Sequence, residues 1–304
     1  MALPDEHLQF QRELIEAGLL VPMGADGLYG RSQAFEDVVD CLDAMILRRA
    51  GDQAAERLRF PPVFTRHSFE HTDYIASFPN LTGAVYTFAG GDAEHARLLA
   101  ARSAGEDWSG HLTPSGTFLT SAACHPLYQT LQGQRLDAGR RFDVLGHCFR
   151  HEPAVDPARL QAFRMHELVF VGAADEAVGH REEWVRRGLR LLTDLQLDAK
   201  PVAANDPFFG RAGRMLAVNQ RDQGLKTELV VRLYPSSDEG TAVSSGNYHQ
   251  DHFGAPFGIS TADGQVAHSA CFGFGLERIA LALLRAHGLD IAAWPEGVRK
   301  ELWQ

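Results

Sequence analysis

Phe149-Arg-His-Glu-Pro-Ala-Val-Asp-Pro-Ala-Arg-Leu-Gln-Ala-Phe-Arg-Met-His-Glu167 sets charged and aromatic residues on either side of a proline-bounded break. Two apolar-rich runs, 142–152 and 159–171, flank Pro153 to Pro157, and a segment bounded by two prolines continues neither a strand nor a helix. The spacing predicts an antiparallel hairpin with a long, proline-stiffened loop. Alternation then puts Arg150 and Glu152 on one face of the first strand, and Phe163, Met165 and Glu167 on one face of the second. An arginine and a carboxylate beside an aromatic ring can grip a phosphate, a polar edge and a flat base, so the hairpin reads as a nucleotide site built on a sheet. Taken alone, the same residues also fit an amphipathic hairpin with a salt-bridged surface, because such pairs are common and worth little.

A second segment, Ala267 to Gly288, shifts that balance. It opens as a short strand to Phe272, passes through Gly273-Phe-Gly275, and continues as a helix with Leu276, Ile279, Ala280, Leu283 and Leu284 at helical spacing. Glu277 and Arg278 fall in its first turn. A helix N-terminus prefers anions to an arginine, so Arg278 makes sense there if a phosphate or an aromatic ring shares its place. The run is not a dinucleotide fingerprint: Arg278 replaces the third glycine, and the 26 residues after it are too few for the rest of a Rossmann domain. No Gly-x4-Gly-Lys-Ser/Thr stretch occurs, which excludes a P-loop.

Together these residues resemble the class II aminoacyl-tRNA synthetases. Phe149-Arg-His-Glu152 with Arg159 and Phe163 is similar to their motif 2, and Gly273-Phe-Gly-Leu-Glu-Arg278 to their motif 3. Ser32 to Arg49, helix-like and followed by an extended run with Pro61-Pro62, is similar to motif 1, the usual dimer element. Ser77-Phe-Pro79, Thr120-Ser-Ala-Ala-Cys-His-Pro-Leu-Tyr128 and Asn247-Tyr-His-Gln-Asp-His-Phe-Gly254 narrow the resemblance to a truncated seryl-type group without a tRNA-binding arm. These are the amino acid:carrier-protein ligases, which load an amino acid onto a phosphopantetheine thiol. The resemblance spans residues 30 to 288. It implies an α+β fold, an antiparallel sheet of about six or seven strands flanked by helices. The expected organisation is an N-terminal helical extension over 1–30 and a catalytic domain over 31–304, with a helical insertion at 175–215 between motifs 2 and 3.

The resemblance also implies roles. Arg150 is the catalytic residue, clamping the α-phosphate of ATP and the substrate carboxylate. Phe163 stacks on adenine, Arg278 covers its other face or meets the γ-phosphate, and Glu152 accepts from the adenine amino group. Arg159 binds outer phosphates and Leu160 lies against the nucleotide. Lys226 and Glu228 share a face of a strand-like run to Leu233, and Lys226 is taken as a further ATP contact. Lysine occurs three times against 26 arginines, a ratio for which compositional bias mostly accounts. Thr241 to Asn247 matches the segment that closes the amino acid pocket, making Ala242, Ser245 and Asn247 substrate residues beside Glu167. Thr241 stands where the seryl type has a metal-binding glutamate, so magnesium is expected with ATP while its protein ligands stay open.

Four cysteines, at 41, 124, 148 and 271, show no Cys-x-x-Cys pairing. The first residues lack a basic region and an apolar core, and no apolar run approaches a membrane span. A cytoplasmic protein with reduced thiols and no membrane partner is expected. Cys41 sits on an apolar stripe with Val38 and Met45, and Cys148 reads as packing. Cys124 and Cys271 read differently within the resemblance. Cys124 falls where ordinary seryl-tRNA synthetases have a glutamate that contacts the amino acid, and Cys271 leads into motif 3. With Glu167 they form a Cys, Glu, Cys set suited to one zinc per subunit, leaving a fourth position for the substrate amine. Among the 14 histidines, His147, His151 and His166 have the wrong strand parity for the site, and His249 and His252 read as hydrogen-bonding loop residues.

The chain is 304 residues long, with a net charge of −10 and pI near 5.8, and carries no basic stripe of the kind nucleic-acid binders show. About 30 residues precede the motif 1 candidate, too few for a tRNA-binding coiled coil, so no tRNA partner is expected. His180 to Leu197 reads as a helix carrying Arg186, Arg187 and Arg190. That cluster is either a solvated face or a dock for an acidic, phosphopantetheinylated carrier protein. Three readings stand: ATP-dependent loading of glycine or alanine onto a carrier by a homodimer, seryl-type charging of tRNA, or a non-catalytic amino-acid sensor. Retention of Arg150, Glu152, Phe163 and Arg278 speaks against the sensor.

Overall fold

The computed structural model describes residues 3–51, 55–206 and 224–303. Its centre is a seven-stranded sheet: β1 Glu56–Arg59, β2 Arg140–Phe149, β3 Ala162–Gly172, β4 Ala199–Ala203, β5 Lys226–Val231, β6 Thr241–Gln250 and β7 His268–Gly275. The order is β4-β5-β6-β7-β3-β2-β1. Every neighbouring pair is antiparallel except the edge pair β1 and β2, which is parallel, a departure from the all-antiparallel expectation. The parallel edge arises because β1 reaches β2 only after the long excursion 60–139.

One sheet face is covered by long helices: α1 Leu3–Glu16, α2 Gln33–Ala50, α3 Ala174–Asp194 and α4 Leu276–His287. α2 begins where the sequence says it should, because Ser32 caps it by accepting from the Phe35 amide. The apolar stripe of α4 (Leu276, Ile279, Ala280, Leu283 and Leu284) is wholly buried against Phe272 and Phe274 of β7 and the stripe Val38, Leu42 and Met45 of α2. Half-buried Cys41 lies beside that stripe. α3 lies close on the sheet: a Cβ at Gly188 would come within 2.3 Å of Phe272, so only glycine lets the helix approach. No helix among the described residues is long and apolar enough to cross a membrane.

Three boundaries differ from the sequence reading. The hairpin strands are shorter, β2 ending at Phe149 and β3 starting at Ala162, so Arg150 and Glu152 belong to the loop rather than to a strand face. The last ladder bond is Arg150 N–H to Gln161 O (2.9 Å); His151 N–H then turns away to the Leu81 carbonyl. The segment 175–215 is not wholly helical: after α3 the chain becomes edge strand β4, paired with β5 along its whole length, and 207–215 lie outside the described residues. The sequence Ala199-Lys-Pro-Val-Ala203 lacks the alternation that would have revealed a strand. The N-terminal extension is a helix followed by a hairpin (Leu20–Pro22 with Tyr29–Arg31), and Phe10 and Leu14 of α1 join the main core.

Candidate active site

The opposite face of the sheet carries the candidate site. Pairing register fixes which side chains share it: Val144, Glu167, Gly273, Ser245 and Glu228 form one cross-strand row. Val169, Cys271, Asn247 and Lys226 form the next. Phe163, Met165 and Glu167 do share a face, and Cys148 is buried opposite Phe163. Gly273 leaves bare backbone between Glu167 and Ser245, room that a side chain there would take.

Above this floor sits the segment 120–131. Cys124, Glu167 and Cys271 each bring one ligand atom to within 4.8 Å of the others, and all three residues are buried. Glu167 accepts a 2.8 Å bond at Oε1 from the Ala123 amide, while its buried Oε2 has no hydrogen-bond partner among the described residues. Burial, then the sulfur of Cys271, push the Glu167 carboxyl up to about 7. The hydrogen bond between the thiols holds Cys124 well above the ordinary thiol range and Cys271 well below it. An orphaned carboxylate oxygen beside two inward-facing sulfurs is an expensive arrangement without a cation, and two S and one O donors suit zinc. The three residues therefore fit that metal.

His249, read from sequence as a loop residue, belongs to this site. It lies at the end of β6, two residues past Asn247, with Nε2 3.5 Å from Cys271 Sγ and Nδ1 3.0 Å from Ser269 Oγ. Continuing the period-two alternation from Ser245 through Asn247 would have found it. Asn247 Nδ2 also reaches Cys271 Sγ (3.6 Å) and Ser245 Oγ (3.2 Å). His252 does act as a loop residue, against the Thr72 carbonyl (3.2 Å). His147 and His151 are exposed, and His166 is buried under the other face.

The nucleotide candidates lie beside the metal candidates. Arg150 donates through Nε to the Ser121 carbonyl (3.1 Å), and its guanidinium sits 5.4 Å from the centre of the Phe163 ring. The same 120–125 turn thus serves Arg150 and Glu167 together, and His125, pressed down to about 3 by burial and then by Arg150, stays neutral against Ser121 Oγ (3.2 Å). Arg278 donates to the carbonyls of Ala158 (2.8 Å) and Ala242 (3.0 Å). Burial, and then the charges of Arg150 and Arg159, lower the Arg278 pKa. Arg159 is ion-paired with Glu152, both partly exposed, and Leu160 is buried behind them. Ala242 enters through its backbone carbonyl only. Lys226 is buried at the far side, bound to Asp206 (2.5 Å) and Glu228 (3.0 Å); burial pulls its pKa down, but the two carboxylates raise it further.

No protein-family model matches the chain. Amino acid–[acyl-carrier-protein] ligase 2 of Bradyrhizobium diazoefficiens is 44% identical over 279 residues, which cover 91% of this chain and 83% of that protein. Ligase 1 of the same organism is 43% identical over 281 residues, 91% of this chain and 85% of its own length. A type-2 serine–tRNA ligase of Methanopyrus kandleri is 30% identical over 206 residues, 63% of this chain and 38% of that enzyme. Among solved structures, M. kandleri SerRS in complex with Aquifex aeolicus tRNASec superposes with a TM-score of 0.82 at 22% identity, over 96% of this chain and 60% of that one. That likeness places the fold among the class II seryl-tRNA synthetases.

Proposed function

The chain belongs to the amino acid–[acyl-carrier-protein] ligases, and we propose that it activates glycine or alanine with ATP and passes it to the phosphopantetheine thiol of an acidic carrier protein. The observation that carries this reading is that one turn, 120–125, holds both Arg150, through the Ser121 carbonyl, and the buried Cys124–Glu167–Cys271 set, through Cys124 and the Ala123 amide. An amino acid carboxylate attacks the α-phosphorus and pyrophosphate leaves, so negative charge gathers on phosphoryl oxygens. Fixed cations lower such a barrier more than proton transfer does. Arg150, held by Ser121 over Phe163, serves the α-phosphate and the carboxylate. Phe163 takes one face of adenine, Arg278 the other, and Glu152 the exocyclic amine. Arg159 meets the outer phosphates with magnesium, and Leu160 backs the nucleotide. The thiol then attacks the adenylate carbonyl and AMP departs, leaving a thioester.

Cys124, Glu167 and Cys271 would hold zinc, a Lewis acid that favours an unprotonated amine at neutral pH. Ser245 and Asn247, around the bare backbone of Gly273, line the space for a small side chain. Four thiols without a disulfide suit the cytoplasm, and the exposed side of α2 suits a homodimer. Carrier docking falls to α3, where Arg186 and Arg187 share Glu183 and Arg190 is exposed. Alanine at all three arginines is expected to slow carrier loading and leave adenylation intact; equal loss of both would remove the dock.

The direct test of activation is amino-acid-dependent exchange of pyrophosphate into ATP, with metal analysis of the same sample. Exchange with glycine or alanine, one zinc per chain, and loss of exchange in Cys124→Ser with Cys271→Ser are the expected results. A metal-free enzyme, or exchange untouched in the double variant, would overturn the amine-binding part of the reading.

A further inference from the structure

The loop 150–161 carries most of the nucleotide candidates, yet it spans 12 residues and joins the ladder only at its two ends. Such a loop positions charges to within ångströms only if something outside it holds it. Two sets of contacts with segments distant in sequence do so.

The first contact is a buried carboxylate within the loop. Asp156 is 7% exposed; its Oδ1 accepts from the Ala158 amide (2.9 Å) and from the Tyr234 hydroxyl, and its backbone carbonyl accepts from the Arg159 amide (2.9 Å). Ala158 in turn offers its carbonyl to Arg278 Nε (2.8 Å). Asp156 therefore touches both arginines by different routes: its backbone carbonyl holds the Arg159 amide, and its side chain, through Ala158, sets the carbonyl that receives Arg278. Tyr234, between β5 and β6, is itself propped by α1, with ring centres 4.4 Å from His7 and 6.3 Å from Phe10. Burial, then the Asp156 charge, raise its phenol well above the ordinary range, which keeps the hydroxyl a donor.

The second contact is the N-terminal hairpin. The Asp26 carbonyl accepts from Gln161 Nε2 (2.8 Å) and the Gly27 carbonyl from the Gln161 amide (2.9 Å). Gly27 has φ +76°, and a Cβ there would lie 2.9 Å from the Arg159 carbonyl. The hairpin touches the loop at a distance only glycine permits.

We propose that Asp156, Tyr234 and Gly27 are positioning residues for ATP: a latch on which the N-terminal segment sets the loop and, through Ala158, the Arg278 guanidinium. This inference rests on the nucleotide reading of the 150–161 loop. It makes residues 3–31 part of the nucleotide site rather than an appendage.

The test is a split of Michaelis constants in pyrophosphate exchange, with ATP affinity measured in parallel by calorimetry, on the full chain carrying Tyr234→Phe, Asp156→Asn or Gly27→Ala. Tyr234→Phe keeps the ring contacts and removes one hydroxyl. Each variant is expected to raise KM for ATP and the calorimetric Kd about tenfold, the scale of one lost charge-assisted hydrogen bond. KM for the amino acid should stay within about twofold, since its pocket keeps every contact. Tyr234→Phe combined with Asp156→Asn should cost less than the sum of the two single effects, because the two side chains share one hydrogen bond. A rise shared equally by both substrates, or ATP affinity unchanged in Tyr234→Phe and Gly27→Ala, would overturn the latch. Failure of the ligase reading would look different: ATP would bind the wild type without any amino-acid-dependent exchange, and the calorimetric comparison would still decide the latch.

Discussion

At the scale of single residues, the site depends on donors aimed at one sulfur. Cys271 receives Asn247 Nδ2 and His249 Nε2, while His249 is steadied at Nδ1 by Ser269 Oγ. Partners of this kind fix ligand orientation, and their loss typically weakens metal binding about 10- to 100-fold. His249→Ala is expected to lower zinc affinity by that factor in a chelator competition, and His249→Gln, which keeps an N–H, to recover part of it. Unchanged affinity in His249→Ala would detach the histidine from the metal set. Arg278 offers a second residue-scale test. Its fork spans two carbonyls at once, a geometry lysine cannot reproduce, so Arg278→Lys should cost about tenfold or more in kcat/KM for ATP. Part of this grouping is legible in the sequence: Cys124, Glu167 and Cys271 meet, and Arg150 lies over Phe163. His249 escapes the sequence because the polar run after Asn247 reads as a loop, although β6 continues to Gln250. Asp156 and Tyr234 were out of reach, since no local pattern links positions 78 residues apart.

Elements are held to the sheet by buried charge and by close packing. Under the sheet, wholly buried His166 of β3 meets Asp43 of α2 (Nδ1, 2.6 Å) and Asp143 of β2 (Nε2, 3.3 Å), and Arg59 of β1 meets Asp143 (3.0 Å). Burial lowers the His166 pKa, but Asp143 and Asp43 more than offset it, leaving it above 6.5; burial raises Asp143, but His166 and Arg59 leave it below 3.8. A raised histidine stabilises fully below its unfolded value and loses that contribution as pH climbs through the folded value. A depressed aspartate does the reverse, losing its contribution as pH falls through its lowered value. The network is therefore at full strength between 3.8 and 6.5. His166→Asn should destabilise by about 3 kcal/mol near the middle of that window. The deficit should shrink as pH rises past the raised histidine pKa, as read by denaturant unfolding at several pH values; a pH-independent deficit would contradict the assignment. Packing makes the other element-scale prediction. At Gly188 an added methyl collides with Phe272, so Gly188→Ala should cost about 1–3 kcal/mol by overpacking, seen in the same unfolding measurement. The helices were readable because capping and 3.6-residue stripes are local signals, as Ser32 and the stripe of α4 show. Edge strand β4 and the parallel β1 were not, because both are defined by partners remote in sequence.

For the whole molecule, the sheet acts as a divider. One face buries the helices and the ionic anchor, and the other carries Arg150 and the buried Cys124, Glu167 and Cys271, the residues to which the proposed reading gives the nucleotide and the amine. On α3, Arg186 and Arg187 share Glu183 and Arg190 is exposed, in a chain of net charge −10. In the proposed reading, activation belongs to the sheet and partner choice to this helix. Carrier loading is decided by presenting purified enzyme, ATP, magnesium and labelled glycine or alanine with holo carrier protein, apo carrier protein or tRNA. ATP-dependent label is expected on the holo carrier alone, released by hydroxylamine as a thioester. Label on tRNA, or none on the holo carrier while pyrophosphate exchange proceeds, would overturn the assignment of the carrier as acceptor.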